Sequence, residues 1–198
     1  MTTFAEYFVE ALEREGVDAQ ELIRAWTQEE RDQVTNKIRS AIDLSGVIGK
    51  QIPDFKGTNQ SKGNQAADFL FGAIAGHMGN SGKIATAPGK GYPDMIFSLD
   101  GASFCMEFKA TSAWKAGDSN RRVLTSSTSK LRSLIQEAHV GNPPAHFICT
   151  VLYSDNDAVV TGVRLDFLEP DTPVNIRLEA STSQKLLSEG AHTIVLMP

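Results

Sequence analysis

Hydrophobic residues at the start of the chain recur at helical spacing. Over residues 3–15, Phe4, Phe8 and Leu12 fall on one face of a helix. Gly16 follows this stretch and is a typical helix end. The pattern therefore predicts an amphipathic helix at the N-terminus.

Two more helices are predicted before residue 50. They cover residues 18–25 and 28–44. Thr27 precedes the longer one, and Glu30 stands three residues later, which is the spacing of a capping box. We expect this whole N-terminal region to be helical.

The pattern changes after residue 50. Residues 51–63 are polar and contain glycine and proline, which predicts a connecting loop. Residues 64–78 are apolar on nearly all sides and predict a helix buried against a sheet. A glycine-rich loop is predicted over residues 79–91.

The second half of the chain is dominated by runs that are typical of strands. These runs cover residues 94–99, 102–109, 145–153, 158–168, 174–180 and 192–197. Between them we predict a polar loop over residues 111–124 and helices over residues 126–138 and 181–188. The order of elements predicts an α/β (α+β) fold with a mixed central sheet flanked by helices.

Two of the apolar runs carry charged residues at their ends. The pair Asp100-Gly101 lies between these runs and predicts a two-residue hairpin turn. With that turn, Asp94 stands opposite Glu107, with Cβ atoms about 4.5–5.5 Å apart. Lys109 is two residues beyond Glu107 and so shares its face of the sheet. We expect two carboxylates and an ammonium side by side.

Such a pair of like charges destabilises a sheet unless something offsets it. Three solutions are open: protonation of one acid, neutralisation by Lys109, or a divalent cation, for which paired carboxylate oxygens are suitable ligands. A surface cluster of ion pairs is the structural alternative to a functional site.

The residues Pro93-Asp94, then twelve intervening residues, then Glu107-Phe108-Lys109 resemble the signature of the PD-(D/E)xK nuclease superfamily. The surroundings are similar as well, since a buried helix precedes the hairpin, and a basic loop, a helix and a buried strand follow it. The resemblance covers roughly residues 60–155 and is strongest to type II restriction endonucleases. It implies a restriction-endonuclease-like fold.

The resemblance also implies roles for the motif residues. Asp94 and Glu107 would hold one or two Mg²⁺ ions, with the carbonyl of Phe108 as a further ligand. Lys109 would either orient or deprotonate the attacking water, or stabilise the charge of the transition state. The products would carry 5′-phosphate ends.

One part of the family pattern differs in this chain. Many members carry a glutamate on the helix before the hairpin, where it assists the metal site. This helix offers Asp68 and Gln65 instead. We keep both as accessory candidates, and the alternative for Asp68 is an exposed helical acid.

Charge is segregated along the chain. The net charge is −5, which does not favour nucleic-acid binding. However, residues 1–32 hold nine acidic and three basic residues, whereas residues 107–132 hold six basic and two acidic ones. The block that follows the motif is therefore the predicted DNA-facing surface. Its candidates are Ser112, Trp114, Lys115, Asn120, Arg121 and Arg122, with Lys90 and Tyr92 from the preceding loop.

The remaining composition is ordinary. With 198 residues the chain suits one domain, residues 51–198, with a helical extension, residues 1–50. Cys105 and Cys149 lie in apolar runs and predict buried free thiols. No signal sequence, membrane-length apolar run or nucleotide-binding phosphate loop is present, so we expect a cytoplasmic protein without membrane or nucleotide partners.

The sequence thus predicts a Mg²⁺-dependent, sequence-specific endonuclease that cuts double-stranded DNA. A homodimer is expected because twofold dimers match palindromic sites, and the N-terminal region would be the dimer surface or a DNA-clamping arm. Two alternatives stay open. One is a structure-specific or repair nuclease with the same site, and the other is a non-catalytic DNA- or protein-binding domain.

Overall fold

The computed structural model describes residues 2–13, 23–87, 93–112, 123–125, 144–178, 184–188 and 192–197. The helices are α1 (Phe4–Glu13), α2 (Gln28–Ser45) and α3 (Asn59–Ala75). The strands are β1 (Gly82–Thr86), β2 (Met95–Leu99), β3 (Ala102–Thr111), β4 (Val123–Thr125), β5 (His146–Ser154), β6 (Val159–Leu168), β7 (Val174–Leu178), β8 (Gln184–Ser188) and β9 (His192–Leu196).

The larger sheet has six strands in the order β1-β2-β3-β5-β6-β9. Only β3 and β5 are parallel neighbours; the other four pairings are antiparallel. Strands β4, β8 and β7 form a separate three-stranded antiparallel sheet. The prediction of a mixed α/β fold with a mixed central sheet is confirmed, and the restriction-endonuclease-like arrangement stays a prediction.

Helices α2 and α3 cover one face of the six-stranded sheet. Helix α2 starts as the sequence predicts, since the backbone N–H of Glu30 donates to Thr27 Oγ1 at 3.1 Å and the Glu30 carboxylate accepts from the Thr27 N–H at 3.0 Å. The buried residues of α2 and α3 join one hydrophobic core with the sheet. These residues are Val34, Ile38, Ala41 and Ile42 of α2 and Ala66, Leu70 and Ile74 of α3.

Trp26 connects the N-terminal region to this core. Its ring stacks on Phe104, with centroids 4.8 Å apart, and meets Phe167 edge-on at 4.9 Å. Its indole N–H donates to the carbonyl of His146 at 2.9 Å, so the polar end of a buried ring is satisfied. The entry to α2 is therefore anchored in the centre of the sheet.

The first residues of the chain are also tied down. The Phe4 N–H donates to the Thr172 carbonyl at 2.8 Å, and the Val174 N–H donates to the Thr2 carbonyl at 2.9 Å. The Phe4 ring is fully buried and meets His146 edge-on at 5.3 Å. A role for the N-terminal region in dimerisation or DNA clamping stays a prediction.

Two predicted loops contain regular structure. Helix α3 begins at Asn59, inside the predicted loop, because the Thr58 hydroxyl caps it by accepting from the Ser61 N–H at 3.2 Å. Strand β1 lies inside the predicted loop 79–91, where pairing with β2 imposes an extended backbone on a glycine-rich segment.

Other predictions differ at the ends of the chain. Residues 184–188 form a strand paired with β7, so the helix predicted over 181–188 is wrong there. Residues 23–25 are not helical, although a helix was predicted over 18–25. The helix predicted over 126–138 lies outside the described residues. No helix in the part of the chain that the structure describes is long and apolar enough to cross a membrane.

Replacing Trp26 with alanine should lower the free energy of unfolding by about 3–5 kcal/mol, because it removes a large buried ring from three aromatic neighbours. The measurement is urea denaturation followed by circular dichroism. Trp26→Phe keeps a ring in the core and should lose less. A loss below about 1 kcal/mol for the alanine variant would show that the N-terminal region does not share this core.

Candidate functional site

The hairpin of β2 and β3 has the predicted register. Leu99 stands opposite Ala102 and Met95 opposite Met106. Asp100 and Gly101 have φ angles of 48° and 88°, the left-handed conformations that a two-residue turn of this kind requires. The tight turn therefore determines which side chains meet at the open end of the hairpin.

At that end, two hydrogen bonds hold the carboxylates of Glu107 and Asp94. The Asp94 N–H donates to Glu107 Oε2 at 3.1 Å, and the Phe108 N–H donates to Asp94 Oδ2 at 3.2 Å. Each acid is thus held by the backbone of the opposite strand. The Phe108 carbonyl belongs to the residue whose N–H reaches Asp94, and its predicted role as a metal ligand stays a prediction.

Lys109 completes the group. Its ammonium donates to Glu107 Oε1 at 2.5 Å. The Glu107 side chain is fully buried, whereas the Lys109 side chain is 20% exposed. Lys109 and the backbone of Asp94 therefore both contact the Glu107 carboxylate, and Asp94 and Lys109 are partly exposed whereas Glu107 is not.

Burial raises the pKa of Glu107 to about 7. The positive charge of Lys109 opposes this rise, and the negative charge of Asp94 adds to it. Two of the three solutions expected for paired acids are thus represented, since Lys109 offsets the charge of Glu107 and burial favours the protonated form of the carboxyl group.

The site occupies the face of the sheet opposite α2 and α3. Phe104, Met106 and Phe108 point into the hydrophobic core, as predicted. Because side chains alternate along a strand, Glu107 and Lys109 point to the other face. The apolar core and the charged site are thus separated by the thickness of one sheet.

A second buried ion pair lies on this charged face. Arg164 Nη2 and Asp166 Oδ2 are 2.5 Å apart, and their side chains are 3% and 1% exposed. Asp166 Oδ1 also accepts from the Thr193 hydroxyl at 2.6 Å. Asp166 pairs in register with Ile148, which pairs with Glu107, so the two ion pairs lie two strands apart on one face.

Sequence analysis missed this second pair. Residues 158–168 were interpreted only as a buried strand. The available signal was two charges of opposite sign, Arg164 and Asp166, two residues apart in an otherwise apolar run. Glu107 and Lys109 carry the same signal, but only the strand order places the two pairs beside each other.

The accessory candidates of the preceding helix lie apart from the carboxylates. Gln65 Oε1 accepts from the Lys56 N–H at 3.1 Å, and its amide donates to the Lys56 carbonyl at 3.2 Å. Asp68 is exposed on α3. Helix α3 packs on the opposite face, where Phe71 meets Phe108 with ring centroids 6.2 Å apart. An accessory role for Asp68 or Gln65 stays a prediction.

Of the DNA-binding candidates, only Ser112 lies within the described residues. It is exposed directly after β3, and its hydroxyl is hydrogen-bonded to the side chain of Tyr153 on β5. The other candidates lie outside the described residues and stay predictions. These are Trp114, Lys115, Asn120, Arg121, Arg122, Lys90 and Tyr92.

The chemistry of the donor set suits Mg²⁺. Among the residues described, no group of three or more histidine, cysteine, aspartate or glutamate side chains is placed to hold a metal ion. The donor set is therefore the pair Asp94 and Glu107. Mg²⁺ prefers carboxylate oxygens, keeps several waters, and is often bound by one or two protein carboxylates. The two acids fit such an ion if it replaces Lys109 as the counter-charge of Glu107.

Comparison with known proteins adds nothing to this geometry. The chain matches no protein-family model, and no curated protein or solved structure is significantly similar to it. The functional interpretation therefore rests on the residues of the site.

The raised pKa of Glu107 predicts how the stability of the metal-free protein depends on pH. In the unfolded chain this carboxyl titrates near 4.5, and in the folded protein near 7. The stabilisation from keeping the proton is complete below pH 4.5 and is lost as the pH rises through 7. The expected loss is on the order of 3 kcal/mol.

The measurement is urea denaturation between about pH 5 and pH 8 in the presence of a chelator. Glu107→Gln is the matched control, because glutamine has the same shape and does not titrate. The stability of the wild-type protein should fall relative to this variant as the pH rises. Parallel curves for the two proteins would contradict the assignment.

Proposed function

We propose that the chain is a Mg²⁺-dependent endonuclease that hydrolyses phosphodiester bonds of double-stranded DNA. The observation that carries the proposal lies at the open end of one hairpin, where Lys109 and the Asp94 N–H both donate to the buried Glu107 carboxylate and the Asp94 carboxylate accepts from the N–H of Phe108. Two acids and an amine at one end of a hairpin support the resemblance to the PD-(D/E)xK signature, which rests on the spacing of these residues in the sequence.

The residues divide the chemistry among them. A bound Mg²⁺ would polarise the scissile phosphate and make water a better nucleophile. Asp94 and Glu107 would supply its protein ligands, and the hydrogen bonds from the opposite strand orient both carboxylates. Lys109, if released from Glu107, would place a positive charge where negative charge develops on the phosphoryl oxygens. An amine beside the phosphate can also accept a proton from the attacking water.

The burial of the site sets the direction of approach. Glu107 is fully buried, whereas Lys109 is partly exposed. We therefore expect DNA to reach the site from the side of the partly exposed Asp94 and Lys109, and the chain would have to open before a phosphate could contact Glu107. The predicted DNA-facing segment, which begins at Ser112, follows at this same end of β3.

The finer assignment is a type II restriction enzyme that acts as a homodimer on a palindromic site. Incubation of plasmid DNA with the protein and Mg²⁺ distinguishes the candidates. Discrete fragments support site-specific cleavage, and nicked circles or smears support a structure-specific or repair nuclease. DNA binding without any cutting supports a non-catalytic domain. This outcome is worth testing because Glu107 already has Lys109 as its counter-charge.

Substitution of the site residues should abolish cleavage without unfolding the protein. Asp94→Asn should lower the single-turnover rate by at least about 100-fold because it weakens metal binding. Lys109→Met should lower it by about 100–1,000-fold because it removes a charge aimed at the phosphate. Cleavage is followed by gel electrophoresis, and DNA binding by fluorescence anisotropy.

Asp43→Asn is the matched control, because Asp43 is an exposed carboxylate on α2, away from the site. It should cut DNA at the wild-type rate. Near-normal cleavage by Asp94→Asn would refute the metal assignment, and the DNA affinity of the inactive variants shows whether binding survives the loss of chemistry.

A further inference from the structure

Thr150 lies on the charged face of the sheet, where its hydroxyl differs from the ion-paired groups on the neighbouring strands. Thr150 is fully buried, and its Oγ1 has no hydrogen-bond partner. Buried polar side-chain atoms in proteins nearly always have one. A hydroxyl kept unpaired at this depth lowers stability, so a functional reason for its presence is worth seeking.

The position of Thr150 supplies such a reason. On β5 it pairs in register with Lys109 of β3 on one side and with Arg164 of β6 on the other. Neighbouring strands lie about 4.8 Å apart, so the backbones of Lys109 and Arg164 stand roughly 10 Å apart with Thr150 between them. The three side chains share the face that carries the acids.

The acids form a parallel row beside this one. Glu107 and Asp166 pair in register with Ile148, two residues before Thr150 on β5. Each acid holds the cation of its own strand, Lys109 or Arg164. One row of the face thus presents carboxylates, and the next presents two cations and a hydroxyl.

The two cations are held differently. Arg164 is 3% exposed and bound to Asp166, which is itself fixed by Thr193, so its position is set within the fold. Lys109 is 20% exposed and is held by Glu107, a predicted metal ligand. A divalent cation on Glu107 would replace the ammonium as counter-charge. Lys109, with three N–H donors, would then be released next to Thr150.

We propose that Thr150 and Lys109 form an oxyanion subsite that holds a non-bridging oxygen of the substrate phosphate. The inference rests on the proposed function and deepens it, since it assigns a substrate-binding role to a residue on β5. A hydroxyl and an ammonium are both donors to such an oxygen, and the charge of Arg164 favours an anion at this point. The subsite forms only when metal occupies the acids.

Thr150→Val tests the proposal, because valine has the shape of threonine without the hydroxyl. Thr35→Val is the matched control. Thr35 is the other residue, among those described, with a buried hydroxyl that lacks a partner, and it lies on α2, which packs against the opposite face of the sheet. In the absence of metal, both variants should raise Tm by roughly 2–4 °C, because each removes an unpaired buried polar atom.

The probe is inorganic phosphate, added with and without Mg²⁺ and followed by the shift in Tm. With Mg²⁺, phosphate should stabilise the wild type and Thr35→Val equally. For Thr150→Val, the apparent Kd for phosphate should rise by about 10- to 100-fold, and Thr150→Ser should restore the wild-type value. Without Mg²⁺, the difference between the variants should vanish.

The outcomes separate the subsite from the proposed function. If the protein cuts DNA but Thr150→Val responds to phosphate as Thr35→Val does, the function stands and the subsite is refuted. If the protein does not cut DNA but its response to phosphate depends on Mg²⁺ and Thr150, the subsite stands and the nuclease proposal fails. A wild-type protein that phosphate does not stabilise in Mg²⁺ overturns the subsite.

Discussion

A buried carboxylate is the constraint on which the rest of the site depends. Glu107 has no exposed surface, and both of its oxygens accept hydrogen bonds, one from the Asp94 backbone and one from Lys109. An uncompensated charge at this depth is strongly destabilising. The hairpin must therefore keep its register, because a slip of one residue would turn Glu107 into the apolar core.

The six-stranded sheet divides stability and chemistry between its two faces. One face supplies the hydrophobic core, where α2, α3 and the Trp26 ring pack against the strands. The other carries two ion pairs and an unpaired hydroxyl, which contribute little to stability or lower it. The large core on the first face offsets the polar groups on the second, so charged groups are tolerated at the centre of the fold.

The ion pair of Lys109 with Glu107 differs from that of Arg164 with Asp166 in how easily it could be broken. An ammonium that is partly exposed and bound to one buried acid can exchange that acid for another anion when a stronger cation arrives. Arg164 is buried and bound to Asp166, so it cannot exchange its partner in this way. In the proposed function, the same charge pattern therefore gives one cation whose position is set by the fold and one, Lys109, that a metal ion would release.

Local signals in the sequence were sufficient for the hairpin and its three charged residues, because a two-residue turn and a period of two fix which side chains meet. The capping box of α2 was predictable too, because it depends only on the spacing of Thr27 and Glu30 along the chain. The tertiary structure alone decided that Arg164, Asp166 and Thr150 lie beside the site, since β5 lies between β3 and β6, parallel to β3 and antiparallel to β6. The tertiary structure also decided that β1 and β8 are strands. Their extended backbones come from pairing with β2 and β7, and not from their own composition. Contacts between residues far apart in the chain leave no trace in local periodicity, and here they supply half of the charged face.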